Sequence, residues 1–179
     1  MNKQAKIRKL EPNGTLPLKL GFRGAFFDIR IIGGPFDAYR PGDNADVGFC
    51  VRAERVPPTA DYVLLIEDFS VPLALDLHRV NFTLARVMEH AMSGERVFVG
   101  CQGGWGRTGL VLALLAKVAG VEDPVAYVRA HYTPHAVETE DQRAYVAEFD
   151  ERPVQAELYR TAWRKRWTTW LPWTAFFFG

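Results

Sequence analysis

An α/β layered domain, with a central, mostly parallel sheet flanked by helices, is predicted for this 179-residue chain by three observations. Short runs rich in β-branched and aromatic residues alternate with longer segments of helical periodicity, the pattern of βαβ units. Residues 109–120, GLVLALLAKVAG, form a helical segment that is apolar nearly all round, as a helix central to the layers must be. The composition, 48% hydrophobic and 24% charged, is that of a globular chain long enough to bury one core.

Taken in order, residues 1–24 are polar with scattered Pro and Gly and predict an irregular lead-in. AFFDIRII (25–32) predicts a strand, and GGPFDAYRPGDNAD (33–46), dense in turn formers, a loop. VGFCVRA (47–53) and DYVLLIE (61–67) predict two strands separated by VPPT. Ser70 as N-cap and Pro72 in the first turn predict a helix start. Leu73, Leu77, Val80, Leu84, Val87, Met88 and Met92 then recur at helical spacing up to a stop at Gly94. RVFVG (96–100) predicts a short buried strand before the central helix. Asp123 with Pro124, and Thr139, predict the starts of two further helices.

The net charge of +1 gives no global attraction to nucleic acid or membrane, so any electrostatic function is local. The two cysteines, Cys50 and Cys101, make neither a disulfide framework nor a thiol metal site. The basic N-terminus lacks the apolar stretch of a signal peptide, and no run is long enough to be a transmembrane segment. These features predict a cytoplasmic protein with reduced thiols.

The chemistry concentrates in VFVGCQGGWGRTG (97–109). Cys101 ends a strand, and its loop feeds the buried helix, where open α/β sheets gather ligands. With Gly103, Gly104 and Gly106 the backbone can approach a ligand closely, and successive N–H groups can converge on an anion at the helix N-terminus. Arg107 adds a planar fork matched to a tetrahedral oxyanion. The stretch Gln102, Gly103, Gly104, Trp105, Gly106 and Arg107 is thus a candidate phosphate cradle. Its positive field favours the thiolate of Cys101, an activated nucleophile for phosphorus.

Cys101-Gln-Gly-Gly-Trp-Gly-Arg107-Thr108 matches C-x-x-G-x-x-R-[ST], and the chain resembles the cysteine-dependent protein tyrosine and dual-specificity phosphatases. The resemblance covers roughly residues 60–150. It implies a fold like that of the dual-specificity phosphatases and a two-step hydrolysis with no metal or other cofactor. Cys101 attacks phosphorus, Arg107 and the loop amides hold the oxygens, and Asp68 in LLIEDFSVP protonates the leaving group. Water then cleaves the phosphocysteine with Asp68 as base, Gln142 orients that water, and Thr108 stabilises the departing thiolate. In the family a histidine precedes the cysteine; here Gly100 stands there, which removes one group that favours the thiolate.

Each residue also has a plainer role. Asp68 suits a turn or helix cap. Thr139-Glu-Asp-Gln142 is a capping box, so Gln142 has a structural reading beside its catalytic one. Cys50 reads as core, with a protective disulfide to oxidised Cys101 as the minority reading.

These readings divide the chain into the lead-in (1–24), a phosphatase-like domain (25–152) and a C-terminal extension (153–179). The extension interleaves Trp163, Trp167, Trp170 and Trp173 with Arg160, Arg164, Lys165 and Arg166. It is expected either to pack back on the domain or to bind a partner or a membrane surface weakly. The resemblance implies phosphorylated protein as substrate. RNA 5′-phosphate hydrolysis and a catalytically inactive phosphate-binding relative are the alternatives.

Overall fold

The computed structural model describes residues 10–169, with side chains described to residue 160. Leu16, Leu18 and Leu20 alternate with Thr15, Pro17 and Lys19, and so line the inner face of a strand, β1 (Gly14–Phe22). This corrects the irregular lead-in expected up to residue 24. Pro17 argues against a strand, but β1 lies at the edge of the sheet, where a missing N–H is tolerated. Arg23 and Gly24, both at positive φ, close a two-residue hairpin from Phe22 to Ala25.

The hairpin leads into β2 (Ala25–Pro35), and β3 (Val47–Cys50), β4 (Tyr62–Val63) and β5 (Val97–Cys101) complete a mixed five-stranded sheet of order β1-β2-β5-β3-β4. β1 and β2 are antiparallel, and the other three pairings are parallel. β2 runs past its expected end: Gly33, Gly34 and Pro35, expected in a loop, pair with Val99, Gly100 and Cys101. β3 and β4 are shorter than 47–53 and 61–67. Beyond Cys50 the strands separate, and single bonds remain, from Val51 N–H to Gly100 O at 2.8 Å and from Ala53 N–H to Ile66 O at 3.2 Å. The separation admits the Arg52 side chain, which is fully buried.

The first helix, α1, spans Leu77–Met92 and starts later than Ser70 predicts. Ser70 caps nothing; its hydroxyl donates to Val71 O at 3.3 Å. Val71 precedes a proline and so favours extended backbone, and Leu73 is extended as well. A short 3-10 turn at Ala74–Asp76 then leads into α1. Residues 68–73 are thereby kept as a loop over the carboxyl ends of the strands. Val80, Leu84, Val87 and Met88 form the buried face as predicted. α1 stops at Gly94, where Gly94 N–H meets Ala91 O and Glu95 N–H meets His90 O, each at 3.1 Å.

The central helix α2 (Gly106–Val118) is buried on all sides except at Lys117, and it begins three residues before the predicted start. α3 (Pro124–His131) has Asp123 as N-cap, accepting from Ala126 N–H at 2.9 Å. α4 (Glu140–Glu148) opens with the Thr139/Gln142 capping box. α5 (Arg152–Thr169) packs its first turns back on the core through buried Val154 and Leu158. Trp163 and Trp167 lie on α5 past the described side chains, and Trp170 and Trp173 lie outside the described residues. Among the described residues no helix is long and apolar enough to cross a membrane.

All five helices among the described residues contribute to one large core on one face of the sheet. The other face is covered by the segment after β2, through a small cluster of Phe36, Ala38, Tyr39, Ala45, Cys50 and Phe98. Strand pleating sends Val97, Val99 and Cys101 to the helical face and Phe98 to the other. Cys50 therefore sits in the core, as predicted, but across the sheet from Cys101. This placement removes the minority reading of a protective disulfide between them.

Asp46 ties this covering segment to the start of β5. Its carboxylate accepts from Arg96 N–H at 2.8 Å and pairs with the Arg96 guanidinium at 2.6 Å. The Arg96 side-chain bond is the main cause that lowers the Asp46 carboxyl to about 2 from 3.8. A depressed carboxyl contributes stability above its ordinary value and loses it as pH falls through the folded one. Asp46→Asn is therefore expected to lower the melting temperature at pH 6. The gap to wild type should close as melting curves are taken from pH 4 towards pH 2.

Candidate active site

β5 ends at Cys101, and the chain turns through Gln102–Trp105 into the N-terminus of α2. Cys101 is 3% exposed, and Gly104 N–H donates to its Sγ at 3.2 Å. The same loop carries Arg107 on the first turn of α2 and Thr108 after it. Cys101, Gln102, Gly103, Trp105, Gly106 and Arg107 line one cavity of about 190 Å³ together with Asp68, Phe69, Glu138 and Gln142. The sequence-predicted residues are thus brought together. Gly104 lies just behind this lining and Thr108 beneath it.

Arg107 is buried, and four of the five N–H donors of its guanidinium have partners. Nη1 donates to Glu54 Oε2 at 2.6 Å and to Ile66 O at 3.0 Å; Nη2 donates to Glu54 Oε1 at 2.7 Å and pairs with Asp68 Oδ1 at 2.8 Å. Glu54 therefore holds one edge of the guanidinium by two parallel bonds. Asp68 takes the remaining Nη2 proton, on the Nε–Nη2 edge. The bond from Arg107 holds the Glu54 carboxyl below the ordinary glutamate range. Burial opposes the charge on Arg107, but the Glu54 bond and the charges of Cys101 and Asp68 outweigh it.

Asp68 is 56% exposed, on the turn closed by Ser70 N–H to Glu67 O at 3.2 Å. Phe69, next to it, has φ 55° and is 63% exposed at the mouth. Trp105 is 46% exposed on the other side, against His135 with ring centroids 5.5 Å apart.

Thr108, Gln102 and Gln142 each make structural contacts beside their expected roles. Thr108 Oγ1 accepts from Cys101 N–H at 2.9 Å, so its oxygen braces the base of the loop; the hydroxyl proton is what remains for a thiolate. Gln102 lines the cavity, but its Oε1 is held by buried Arg52 Nη1 at 2.6 Å, while Arg52 also pairs with Asp37 at 2.8 Å. Gln142 is fully buried and realises the capping box: its N–H donates to Thr139 Oγ1 at 3.1 Å. Its Oε1 accepts from Glu138 N–H at 3.0 Å, and its Nε2 donates to Ser70 O at 3.1 Å, which anchors the Asp68 loop. One Nε2 proton is left for a water.

Gly100 has a steric cause. A Cβ there would lie 2.8 Å from Gly34 O and from Phe36 Cα, and 2.9 Å from Phe36 N. Backbone of the end of β2 and of Phe36 just after it fills the space that a side chain at position 100 needs. Gly104, at φ 78°, is equally constrained: a Cβ would lie 2.4 Å from Gly34 C.

Glu54, Arg52, Glu138, Asn13 and Tyr132 were not legible as site residues. Asn13 Nδ2 donates to Gly103 O at 3.0 Å, and Tyr132 OH donates to Gly104 O at 2.5 Å. The signal for Arg52 and Glu54 was their place just past the carboxyl end of a strand. It becomes usable once β3 is known to lie beside β5.

The class of protein is that of the dual-specificity-type phosphatase domains. The chain belongs to the PTP-SAK family, described as Swiss Army Knife protein, DSP-PTPase phosphatase domain, which matches residues 60–157. It is 43% identical over 84 residues to an uncharacterised protein of Methanocaldococcus jannaschii, across 47% of this chain and 55% of that one. A second uncharacterised protein of the same organism is 39% identical over 84 residues, across 47% and 51%. The chain thus spans about half the length of the curated relatives it matches. Its fold is similar to that of kinase associated phosphatase, solved with its catalytic-site cysteine replaced by serine (TM-score 0.56, 19% identity, 83% of this chain and 97% of that one). It is also similar to DUSP15 (TM-score 0.54, 13% identity, 73% and 90%).

Proposed function

We propose that this protein hydrolyses phosphomonoesters of protein side chains through a phosphocysteine intermediate on Cys101. The observation that carries this reading is the cavity in which a loop amide points at Cys101 Sγ while Arg107 and Asp68 stand 2.8 Å apart at the same opening. A phosphoryl group entering there meets the Nε–Nη2 edge of Arg107 and takes the place of the Asp68 carboxylate. Asp68 is thereby released towards the leaving oxygen. Asp68, exposed to solvent, takes up a proton from water once it has left Arg107 and faces the anionic phosphoryl group; the Cys101 thiolate then forms the S–P bond, the P–O bond to the substrate breaks, and Asp68 delivers that proton to the leaving oxygen. Water then attacks phosphorus, Asp68 takes its proton, and the S–P bond breaks to release inorganic phosphate. The second Nε2 proton of Gln142 orients that water, the first being held by Ser70 O. The aromatic rims at Phe69 and Trp105 support an aryl ester such as phosphotyrosine.

The test is hydrolysis of p-nitrophenyl phosphate and a phosphotyrosine peptide with EDTA present, with acid quenching to trap the phosphoenzyme. Turnover insensitive to EDTA, with phosphate recovered on the Cys101 peptide, is expected. No turnover of either substrate by folded protein would overturn the reading. A 5′-triphosphorylated RNA assayed in parallel then separates RNA hydrolysis from phosphate capture without turnover.

A further inference from the structure

The family match begins at residue 60, yet a residue far upstream grips the phosphate loop. Asn13 sits just before β1, fixed there by its own N–H to Gly33 O at 2.8 Å. Its Nδ2 donates to Gly103 O at 3.0 Å. That carbonyl and Gly104 N–H belong to one peptide unit, and Gly104 N–H is the group that donates to Cys101 Sγ at 3.2 Å. A trans peptide is planar, with its C=O and N–H pointing in opposite directions. Holding the oxygen outwards with Asn13 therefore turns the N–H inwards onto the sulfur. A donor on the carbonyl also polarises the peptide and strengthens its N–H as a donor. The two glycines let this happen: a Cβ on Gly104 would lie 2.6 Å from Asn13 Nδ2, and one on Gly34 would lie 2.9 Å from Pro12 Cα.

We propose that Asn13 is a positioning residue for the Cys101 thiol, acting through the Gly103–Gly104 peptide. It occupies, from the N-terminal segment, the loop-orienting role that Gly100 leaves without a histidine. The proposal rests on the reading of Cys101 as the nucleophile.

Asn13 is exposed, so its substitution leaves the core intact. The experiment compares wild type, Asn13→Ala and Asn13→Leu by iodoacetamide alkylation of Cys101 from pH 5 to 9, with the modified peptide identified by mass spectrometry and melting curves taken alongside. The charged and titratable groups around the thiol are Arg107 from α2, Asp68 from its loop, Glu138 before α4 and Tyr132 after α3. Burial, and then the charge of Cys101, hold the Tyr132 hydroxyl above its ordinary range, so it stays neutral throughout. The substitutions remove a side-chain bond between Asn13 and Tyr132 that lowers the Tyr132 hydroxyl, so its loss leaves that hydroxyl neutral, and they leave Arg107, Asp68 and Glu138 unaltered. In both variants the alkylation profile is expected to move up by about half to one pH unit, with the rate at pH 6 down about threefold to tenfold. Profiles that superimpose on wild type in both variants would overturn the proposal. Alkylation needs no substrate, so this outcome is independent of the hydrolysis assay. A shifted profile in a protein that hydrolyses nothing would retain the role of Asn13 and discard the phosphatase reading.

Discussion

Cys101→Ser is expected to abolish turnover, with a loss of about 10⁴-fold or more in kcat, while inorganic phosphate still binds. The substitution changes one atom in a loop whose other contacts do not depend on it. Thr108 still braces residue 101 through its backbone N–H, Glu54 still orients Arg107, and Asn13 and Tyr132 still hold the carbonyls of Gly103 and Gly104. The anion site therefore persists. The nucleophile does not, because a serine hydroxyl is not ionised near neutral pH. Steady-state hydrolysis and phosphate titration by calorimetry measure the two effects separately. Loss of both together would mean that the sulfur organises the loop. Retention of turnover would mean that the chemistry lies elsewhere.

What could be read from the sequence was whatever is local in the chain. The β5–loop–α2 unit is contiguous, so its strand, glycines, arginine and buried helix were all legible from period and spacing. Asp123 and Thr139 announced their caps by the same local rule. The misses share a different cause. β1 was hidden because Pro17 and its lysine mimic a linker, and only its partner β2 makes it a strand. The Ser70 start failed because a tertiary bond from Gln142 and the bias before Pro72 keep residues 68–73 out of the helix. Glu54, Arg52, Tyr132 and Asn13 reach the loop across the sheet, 28 to 90 residues away in sequence. Such contacts depend on strand order, which periodicity does not encode.

Gly100→His, which supplies the histidine implied by the resemblance to the tyrosine and dual-specificity phosphatases, is expected to destabilise the fold without raising activity. The reading from sequence alone treats Gly100 as a loss. The packing makes it a requirement, because the backbone at Gly34 and Phe36 lies where a Cβ would have to go. Backbone atoms cannot rotate away as a side-chain end can, so β2 and β5 would have to separate at the point where Gly34 pairs with Gly100. The ring would also enter the cluster of Phe36, Cys50 and Phe98, already closed by an edge-on contact between Phe36 and Phe98. Overpacking of this kind costs about 3 kcal/mol, which lowers the melting temperature of a domain this size by roughly 6–12 °C. Gly100→Ala separates the two components, since it adds the Cβ clash without the ring, and most of the loss should already appear there. The displaced Gly34 would carry Asn13 and Gly104 with it, so kcat/KM for an aryl phosphate should fall in both variants. A Gly100→His protein as stable as wild type and faster would show instead that the position is merely vacant, and that the segment after β2 yields to a side chain.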